Sequence, residues 1–377
     1  MRYEFIDSMR GIAILMVILV HTSQTAFGLD GNILYISEYG QMGVQLFFVA
    51  SAYTLCASFD RRGGEADSII SFFIRRFFRV APAYYIIGIL GYFVFWVLLK
   101  YLVTGEVVVP PQYMLANVFS NVFFVHGLYP PGNNNIVPGG WSIGTEMLFY
   151  LFFPAVFMLF SGILRNIYGL IFFPVIVLVL SMVIIDALDY RVENNSFIYF
   201  SLLNQASVFA VGISLYFLHK NHSGIMDVIS NRQLVIAFVV ITVSVINYGW
   251  LSPLKGFFSI VPFLSAMSFV ALIEIFKRRD SLNTNLLRKI GEQSYSMYLL
   301  HFIFAHQLSF FLNKKYLLDL IGPKPSLFLT YVLTVCLTYY LSKLSYHYIE
   351  KYFIGIGRSL IYALSNKKID KPLVDEV

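Results

Sequence analysis

Runs of about twenty apolar residues recur along the whole chain, and they restrict the possible folds more than any other feature of the sequence. A helix needs about twenty apolar residues to cross a bilayer, and it satisfies its own backbone hydrogen bonds while doing so. Hydrophobic residues make up 58% of the 377 residues and charged residues 13%, which excludes a soluble globular domain. Ten spans are predicted, near residues 5–27, 43–59, 80–102, 143–163, 168–188, 197–218, 233–250, 256–276, 293–312 and 326–346.

An eleventh apolar stretch, residues 113–128, differs from the ten spans because polar residues interrupt it. Asn117, Asn121 and His126 lie inside this stretch, and proline pairs flank it on both sides. Irregular backbone at membrane depth is tolerated only where protein or water satisfies its polar groups. The sequence therefore predicts a short re-entrant or interfacial helix near 113–128 and not another span.

The distribution of basic residues orients the spans. With ten spans and a cytoplasmic N-terminus, 21 of the 27 Lys and Arg residues fall in cytoplasmic segments and 6 fall outside. Counting 113–128 as a span would invert every segment from Arg165 onward and lose this bias. The prediction is an all-α polytopic membrane protein with about ten transmembrane helices and both termini in the cytoplasm. Residues 1–350 form a single transmembrane domain, and residues 351–377 a short basic cytoplasmic tail.

Two further features of the sequence concern cleavage of the N-terminus and metal binding. The N-terminal apolar run is not followed by a small-residue cleavage site, so it is interpreted as a retained first span. Cys56 and Cys336 lie in apolar stretches without metal-ligand spacing, so neither a disulfide framework nor a metal site is predicted. The sequence also gives no reason to expect a nucleic-acid partner, and it leaves the oligomeric state open.

Arg10 and His21 are ionisable residues that lie eleven positions apart in the first apolar run. At about 100° per helical residue, eleven steps bring both side chains to one helix face, about 16 Å apart along the axis. Ionisable residues at membrane depth are costly, so they indicate a functional site by default. The alternative is that Arg10 only anchors the helix at the cytoplasmic surface and that His21 lies only at the opposite interface.

Three arginines, Arg75, Arg76 and Arg79, lie at the cytoplasmic mouth of the third span, where Pro82 suits a first helical turn. Residues three or four positions apart share a helix face, so these guanidinium groups can hold a polyanion through forked, charge-assisted hydrogen bonds. The alternative is a juxtamembrane cluster that binds anionic lipid headgroups.

The outer start of the fourth span contains Trp141, Ser142 and Glu146. Ser142 suits the N-cap position, which would place Glu146 near the positive end of the helix and favour its carboxylate form. Counting along the spans gives Glu146 and His21 a similar depth, and a carboxylate with an imidazole is a pairing that general-base chemistry uses. The alternative role of Glu146 is helix-end electrostatics or packing among aromatic residues.

Two further spans contribute polar side chains to the predicted site. Ser51 and Tyr53 are the polar residues of the second span that we expect to be buried, and Tyr295 and His301 lie early in the ninth span. Together with Trp141 and Ser142, these four are the predicted substrate-binding residues. The alternative for His301 is a hydrogen-bonded histidine of the bundle interior without a catalytic role.

Five motifs in a fixed order carry a resemblance to a known family. They are R-x10-H, G-V-x-L-F-F-x-x-S-x-Y, R-R-x-x-R-x-x-P, W-S-x-x-x-E and S-Y-S-x-Y-L-x-H, which begin at Arg10, Gly43, Arg75, Trp141 and Ser294. Along the whole chain they resemble the acyltransferase-3 family of integral membrane O-acyltransferases. Ala52 stands where the family usually has Gly, which predicts a looser contact of the second span with its neighbour. The Gly144-Thr145 pair stands where bulkier residues are common.

The resemblance implies a donor, an acceptor and a location. The donor is cytoplasmic acetyl-CoA, and the acceptor is a sugar of a surface polysaccharide, such as O-antigen lipopolysaccharide, capsule, exopolysaccharide or peptidoglycan. The protein is then a multi-pass O-acetyltransferase of the bacterial inner (cytoplasmic) membrane, without the soluble hydrolase-like domain that some members carry. The resemblance also maps Arg10, His21, Arg76 and Arg79 to positions thought essential in the family.

The residues and the resemblance together predict a mechanism. Arg75, Arg76 and Arg79 hold the CoA phosphates, and the pantetheine arm passes Arg10 toward His21. His21 takes the proton of a hydroxyl on a surface or lipid-linked glycan as that hydroxyl attacks the thioester, and Glu146 orients the imidazole. A covalent acetyl-His relay is the mechanistic variant.

A secondary transporter or a polysaccharide or small-molecule permease is the alternative from another class, because intramembrane Arg, His and Glu also occur along ion paths. Against it, the chain has neither an internal repeat at half length nor a matched pair of Gly/Pro-broken helices.

Overall fold

The computed structural model describes residues 3–61, 66–187, 196–251 and 259–369, and within these ranges the protein is helical without strands. The α-helices, in chain order, are α1 (Glu4–Ser23), α2 (Gly31–Glu38), α3 (Gly43–Asp60), α4 (Ala66–Ala83), α5 (Tyr92–Thr104), α6 (Leu115–Val122), α7 (Gly140–Phe160), α8 (Ile167–Ala187), α9 (Ser196–Phe200), α10 (Leu202–Asn221), α11 (Ser223–Val228), α12 (Asn231–Leu251), α13 (Ile260–Arg278), α14 (Asn285–Glu292), α15 (Ser294–Phe302), α16 (Ser309–Leu312), α17 (Leu318–Ile321), α18 (Pro323–Ser345) and α19 (Lys351–Ile369).

Eight helical stretches among the described residues are long and apolar enough to cross a membrane. Each of the eight coincides with one of the predicted spans. The other two predicted spans, 233–250 and 293–312, coincide with α12 and with the helical stretch that α15 begins, which are shorter or interrupted. The predicted all-α polytopic fold is therefore confirmed. The sidedness of the termini stays a prediction.

The polar stretch 113–128 forms a short, broken element as expected. Its only α-helix, α6, has eight residues, about 12 Å of rise, which is less than half of a hydrocarbon core. The buried side chain of Asn121 ties it to its surroundings. Its amide donates to the carbonyl of Gly132 (3.1 Å), and its carbonyl oxygen accepts from Tyr84 Oη (2.7 Å). These hydrogen bonds satisfy polar groups that lipid could not.

The third span begins earlier than the sequence suggested. Pro82 does not lie in a first helical turn, because α4 already begins at Ala66 and the helix continues through Pro82. A π-helical segment, Tyr84–Gly91, follows the proline and leads directly into α5. A π segment can absorb the backbone hydrogen bond that proline lacks, so the helix need not end there. The three arginines therefore lie well inside α4 and not at the start of a helix.

The predicted C-terminal tail is largely helical. A π-helical turn, Tyr346–Glu350, joins α18 to α19, and the helix Pro323–Ser365 is continuous for 43 residues. α19 packs on α4, where Gly357 leaves room for Phe78: a Cβ on this glycine would lie 2.9 Å from Phe78 Cβ. Residues 370–377 of the predicted tail lie outside the described residues.

Glycines let the central helices approach closely, as is usual where lipid provides no hydrophobic driving force between helices. A Cβ on Gly291 of α14 would lie 1.8 Å from the carbonyl oxygen of Asp7 in α1. A Cβ on Gly212 of α10 would lie 2.6 Å from Val49 O and 2.8 Å from Ala52 Cβ. The expected loose contact at Ala52 is therefore wrong, because the small residue is supplied by the neighbouring helix.

Candidate active site

A cavity lies between α1, α3, α4, α7 and α15. It brings together seven of the residues that the sequence singled out, namely Arg10, Ser51, Arg76, Arg79, Ser142, Glu146 and Tyr295. The other residues that line it are Val44, Phe47, Phe48, Val80, Ile143, Tyr150, Ser294 and Tyr298. Residues from five helices that are far apart in the sequence thus form one polar and aromatic chamber inside an apolar bundle.

Guanidinium groups form one end of the cavity, which we call the arginine end (Arg10, Arg76 and Arg79). Arg10 Nη2 donates to Thr54 Oγ1 at 3.1 Å, and Arg10 Nη1 lies 3.4 Å from Asp7 Oδ1. The guanidinium of Arg76 lies over the ring of Tyr150, with its Cζ 5.6 Å from the ring centre. These contacts hold positive charge at the wall of the cavity, where an anion with several oxygens could be bound.

Glu146 lies within this charged end. Its Oε1 accepts hydrogen bonds from Ser51 Oγ and from Tyr150 Oη, each at 2.5 Å. Tyr150 follows Glu146 by four residues, so both side chains share one face of α7. The carboxylate is thereby fixed next to the cavity and close to Arg76, which stacks on Tyr150.

The expected pairing of Glu146 with His21 is not formed. Among the described residues, Glu146 bonds to Ser51 and Tyr150, whereas the hydrogen bond of His21 goes to Gln24. Counting residues along each span estimates depth, but it does not say which helices are neighbours or which way a side chain points. Glu146 shares the cavity with Arg10, the residue at the opposite end of α1 from His21.

Tyr298 and Ser142 form the other end of the cavity. Tyr298 Oη lies 2.7 Å from Ser142 Oγ and donates to the carbonyl of Gly139 at 2.9 Å. Ser142 is not the N-cap of α7, because Gly139 takes that position with a φ of 75°. A Cβ on Gly139 would also lie 2.8 Å from Phe302 Cε2, so both its backbone conformation and its surroundings require glycine.

Three histidines, His21, His301 and His306, lie beyond this end of the cavity, and we call them the histidine cluster. The ring centre of His21 lies 5.3 Å from that of His301 and 5.4 Å from that of His306. Phe302 packs between them, with its ring 4.2 Å from those of His21 and His301. The structure thus gives His21 two imidazole neighbours and no carboxylate among the described residues.

Tyr298 and Phe302 separate the cavity from the histidine cluster. They lie one turn apart on α15, and Tyr298 lines the cavity while Phe302 contacts His21. His301 lies between them in the sequence, with its ring 5.5 Å from that of Tyr298. A molecule that entered from the arginine end would therefore meet these two aromatic rings immediately before the imidazoles.

Five predicted site residues do not line the cavity. His21 and His301 belong to the histidine cluster, and the other three lie elsewhere. Tyr53 points to the other side of α3, where its hydroxyl lies 3.1 Å from His219 Nδ1. It follows Ser51 by two residues, about 200° around a helix, so the two side chains cannot share a face. Trp141 stacks on Phe200 at 4.4 Å between ring centres and is buried packing. Arg75 is half-buried on α4 and lies outside the set of lining residues.

The structure adds three residues that sequence reasoning missed, namely Tyr150, Tyr298 and Gln24. Tyr150 was detectable as the residue one helical turn after Glu146. Tyr298 stands inside the S-Y-S-x-Y motif. Gln24 gave no such signal, because its role depends on which helices meet at the end of α1. His306, five positions after His301, is interpreted from the sequence as a hydrogen-bonded histidine of the bundle interior.

His126 explains the small residue at Gly144. A Cβ on Gly144 would lie 2.4 Å from His126 Nε2, so a bulkier residue would displace the imidazole. His126 is fully buried, and its Nε2 lies 3.0 Å from the carbonyl of Gly140. Burial lowers the pKa of His126, so the neutral imidazole donates through Nε2–H. The broken segment 113–128 thereby supports the start of α7, which carries Ser142 and Glu146.

The fold and the cavity define a polytopic membrane protein with an enzyme-like polar chamber inside its helix bundle. The chain belongs to the acyltransferase-3 family, whose profile, described as an acyltransferase domain, matches residues 3–343. The family assignment from the five motifs is thus confirmed, and the chain is an acyltransferase domain.

Two relatives from Staphylococcus aureus illustrate the similarity. The chain is 24% identical to the protein named O-acetyltransferase OatA of strain NCTC 8325 / PS 47, over 92% of this chain and 56% of that protein. It is 25% identical to a putative O-acetyltransferase of strain COL, over 94% of this chain and 58% of that protein. The chain therefore spans a little over half the length of these relatives. No solved structure matches the chain significantly.

Proposed function

We propose that this domain is a membrane O-acetyltransferase that moves an acetyl group from acetyl-CoA to a hydroxyl of a cell-surface or lipid-linked glycan. One observation carries the proposal: a single cavity begins among three guanidinium groups and ends one helical turn from the histidine cluster. The relatives named O-acetyltransferase support the same reaction class. The location that goes with it is a bacterial cytoplasmic membrane, with the arginine end facing the cytoplasm.

The arginine end suits the phosphates of CoA. Arg76 and Arg79 lie one turn apart on α4, and Arg10 adds a third guanidinium from α1. Planar guanidinium groups bind phosphate oxygens in pairs, which fixes orientation as well as charge. Glu146, held by Ser51 and Tyr150, adds a negative charge that reduces the mutual repulsion of the guanidinium groups.

The histidine cluster suits the chemical step. With the phosphates at Arg76 and Arg79, the pantetheine arm extends along the cavity and brings the thioester to Tyr298 and Phe302. His21 takes the proton of the acceptor hydroxyl as its oxygen forms a bond to the acetyl carbonyl carbon. The C–S bond then breaks, and CoA leaves as the thiolate, which accepts the proton.

The test is acetyl transfer from labelled acetyl-CoA to surface glycan, measured in cells and in membrane vesicles. His21→Ala and His21→Gln should abolish transfer while the protein remains inserted and abundant. His347→Gln is the matched control, because His347 is exposed on the π-helical turn between α18 and α19. Normal glycan acetylation by a well-expressed His21→Ala variant would refute the mechanism. A change in glycan amount or length without a change in acetylation would favour a permease.

A further inference from the structure

Gln24 contacts two of the three imidazoles through one oxygen atom. Its Oε1 lies 3.3 Å from His21 Nδ1 and 3.1 Å from His306 Nε2. Gln24 directly follows the last residue of α1. His21 lies three positions earlier, about one helical turn away, so the two side chains lie next to each other. The carbonyl oxygen of an amide only accepts hydrogen bonds, so both ring nitrogens that face it carry a hydrogen.

These two hydrogen bonds assign the tautomers of both rings. A neutral imidazole has one N–H, so a hydrogen at Nδ1 of His21 leaves its Nε2 with a free electron pair. His306 is fixed in the opposite sense, with the hydrogen at Nε2. The two rings occupy both acceptor positions of the same oxygen, and each bond therefore holds the amide in the orientation that the other needs.

The tautomer of His301 is determined by a different contact. Its Nδ1 lies 2.6 Å from the carbonyl of Tyr298, which can only accept. Its Nε2 is buried and has no hydrogen-bond partner among the described residues. The electron pairs at Nε2 of His21 and at Nε2 of His301 thus belong to two rings whose centres lie 5.3 Å apart.

We propose that Gln24 is a positioning residue for acyl transfer, which holds His21 in the Nδ1–H form so that Nε2 is the atom that accepts the proton. This inference rests on the proposed function of His21. When Nε2 of His21 takes the proton of the acceptor hydroxyl, the Nδ1–H···O bond to Gln24 becomes charge-assisted and stabilises the imidazolium. In this site a neutral amide takes the position that the aspartate holds beside the histidine of a Ser-His-Asp triad.

Two substitutions at Gln24 separate positioning from packing. Gln24→Met keeps the length of the side chain and removes the acceptor oxygen, whereas Gln24→Glu keeps an acceptor oxygen at the same place. Gln24 is exposed, so neither change removes core packing. Gln41→Met is the control for a glutamine-to-methionine change, because half-buried Gln41 lies on the turn Tyr39–Met42, where Gly40 contacts Met16 and Val20 of α1.

The measurement is kcat and KM for acetyl-CoA with the full chain in proteoliposomes. We expect Gln24→Met to lower kcat at least tenfold without changing KM, and Gln24→Glu to retain more than a third of the wild-type kcat. Gln41→Met should match the wild type. A normal kcat in Gln24→Met, or a change in KM alone, would overturn the proposal. So would a Gln24→Glu variant as slow as Gln24→Met, because the amide would then be acting as a donor.

The His21 variants distinguish this proposal from the one on which it rests. If His21→Ala is inactive and Gln24→Met is normal, only the role of Gln24 fails. If His21→Ala remains active, the proposed function of His21 fails irrespective of Gln24.

Discussion

Replacing the cavity arginines by lysine should weaken acetyl-CoA binding although the charge is kept. Arg76 and Arg79 line the cavity, and each guanidinium can offer two parallel hydrogen bonds to a phosphate, whereas an ammonium acts as a point charge. A charge-assisted hydrogen bond contributes about 1.5–3 kcal/mol. Losing one such bond raises Kd about tenfold to 150-fold. We expect this effect for Arg76→Lys and for Arg79→Lys separately.

Arg75→Lys makes the prediction specific to the cavity. Arg75 neighbours Arg76 on α4 but does not line the cavity, so we expect Arg75→Lys to change the Kd for acetyl-CoA less than twofold. Arg358→Lys, at an exposed position of α19, controls for the general loss of an arginine. If the cluster only bound anionic lipid headgroups, the lysine substitutions at all three neighbouring arginines would have the same effect on the Kd.

The assay is calorimetric titration of acetyl-CoA into detergent-solubilised protein, repeated with dephospho-CoA. If the arginines bind the 3′-phosphate, the wild type should bind dephospho-CoA more weakly, and at least one lysine variant should show a smaller difference between the two ligands. Unchanged affinity for acetyl-CoA in both Arg76→Lys and Arg79→Lys would refute the donor site. The arginines would then be assigned to lipid headgroups.

Two further predictions concern the bundle and its orientation. Gly291→Ala should destabilise the protein by about 1–3 kcal/mol through overpacking, because its Cβ would lie 1.8 Å from a backbone oxygen of α1. Gly355→Ala, whose Cβ would meet nothing within 4 Å, is the control in a thermal unfolding experiment. Equal unfolding temperatures would contradict the close contact. In a variant without the native cysteines, a cysteine at exposed Asn134 should react with an impermeant thiol reagent in intact cells. One at exposed Ser281 should react only after permeabilisation. Labelling of both from outside would invert the topology.

The sequence was sufficient for the fold because the physical constraint is local. Each apolar run has to form a helix by itself, so length and composition locate the helices without knowledge of their neighbours. The errors arose where one sequence signal is compatible with two local structures. Pro82 suits a helix start, but it is also tolerated inside a long helix when a π-helical segment follows.

The site was predictable only along the axis of each helix. Arg76 and Arg79 share a face by their spacing, and both line the cavity. Tyr53 was grouped with Ser51 because the two are close in sequence, although helical phase places them on different faces. The contact of Glu146 with Ser51 could not be derived at all, because it depends on α3 and α7 being neighbours.

Gln24 shows a further limit of sequence reasoning. It lies just beyond the first span, outside the motif that contains Arg10 and His21. Its contact with His306 joins residues 282 positions apart. Such a contact becomes visible only when the ends of α1 and α15 are seen side by side.

The continuous helix Pro323–Ser365 has a mechanical consequence. Its 43 residues span about 65 Å, roughly twice the thickness of a hydrocarbon core, so lipid can hold only part of it. Its last part, α19, runs against α4 beside the arginines, with Gly357 seated on Phe78. α19 thus supports α4 from one side, and an unbroken helix is stiff enough to transmit force along its length. A load that tilted α4 through this contact would move Arg76 and Arg79 together relative to Arg10 on α1.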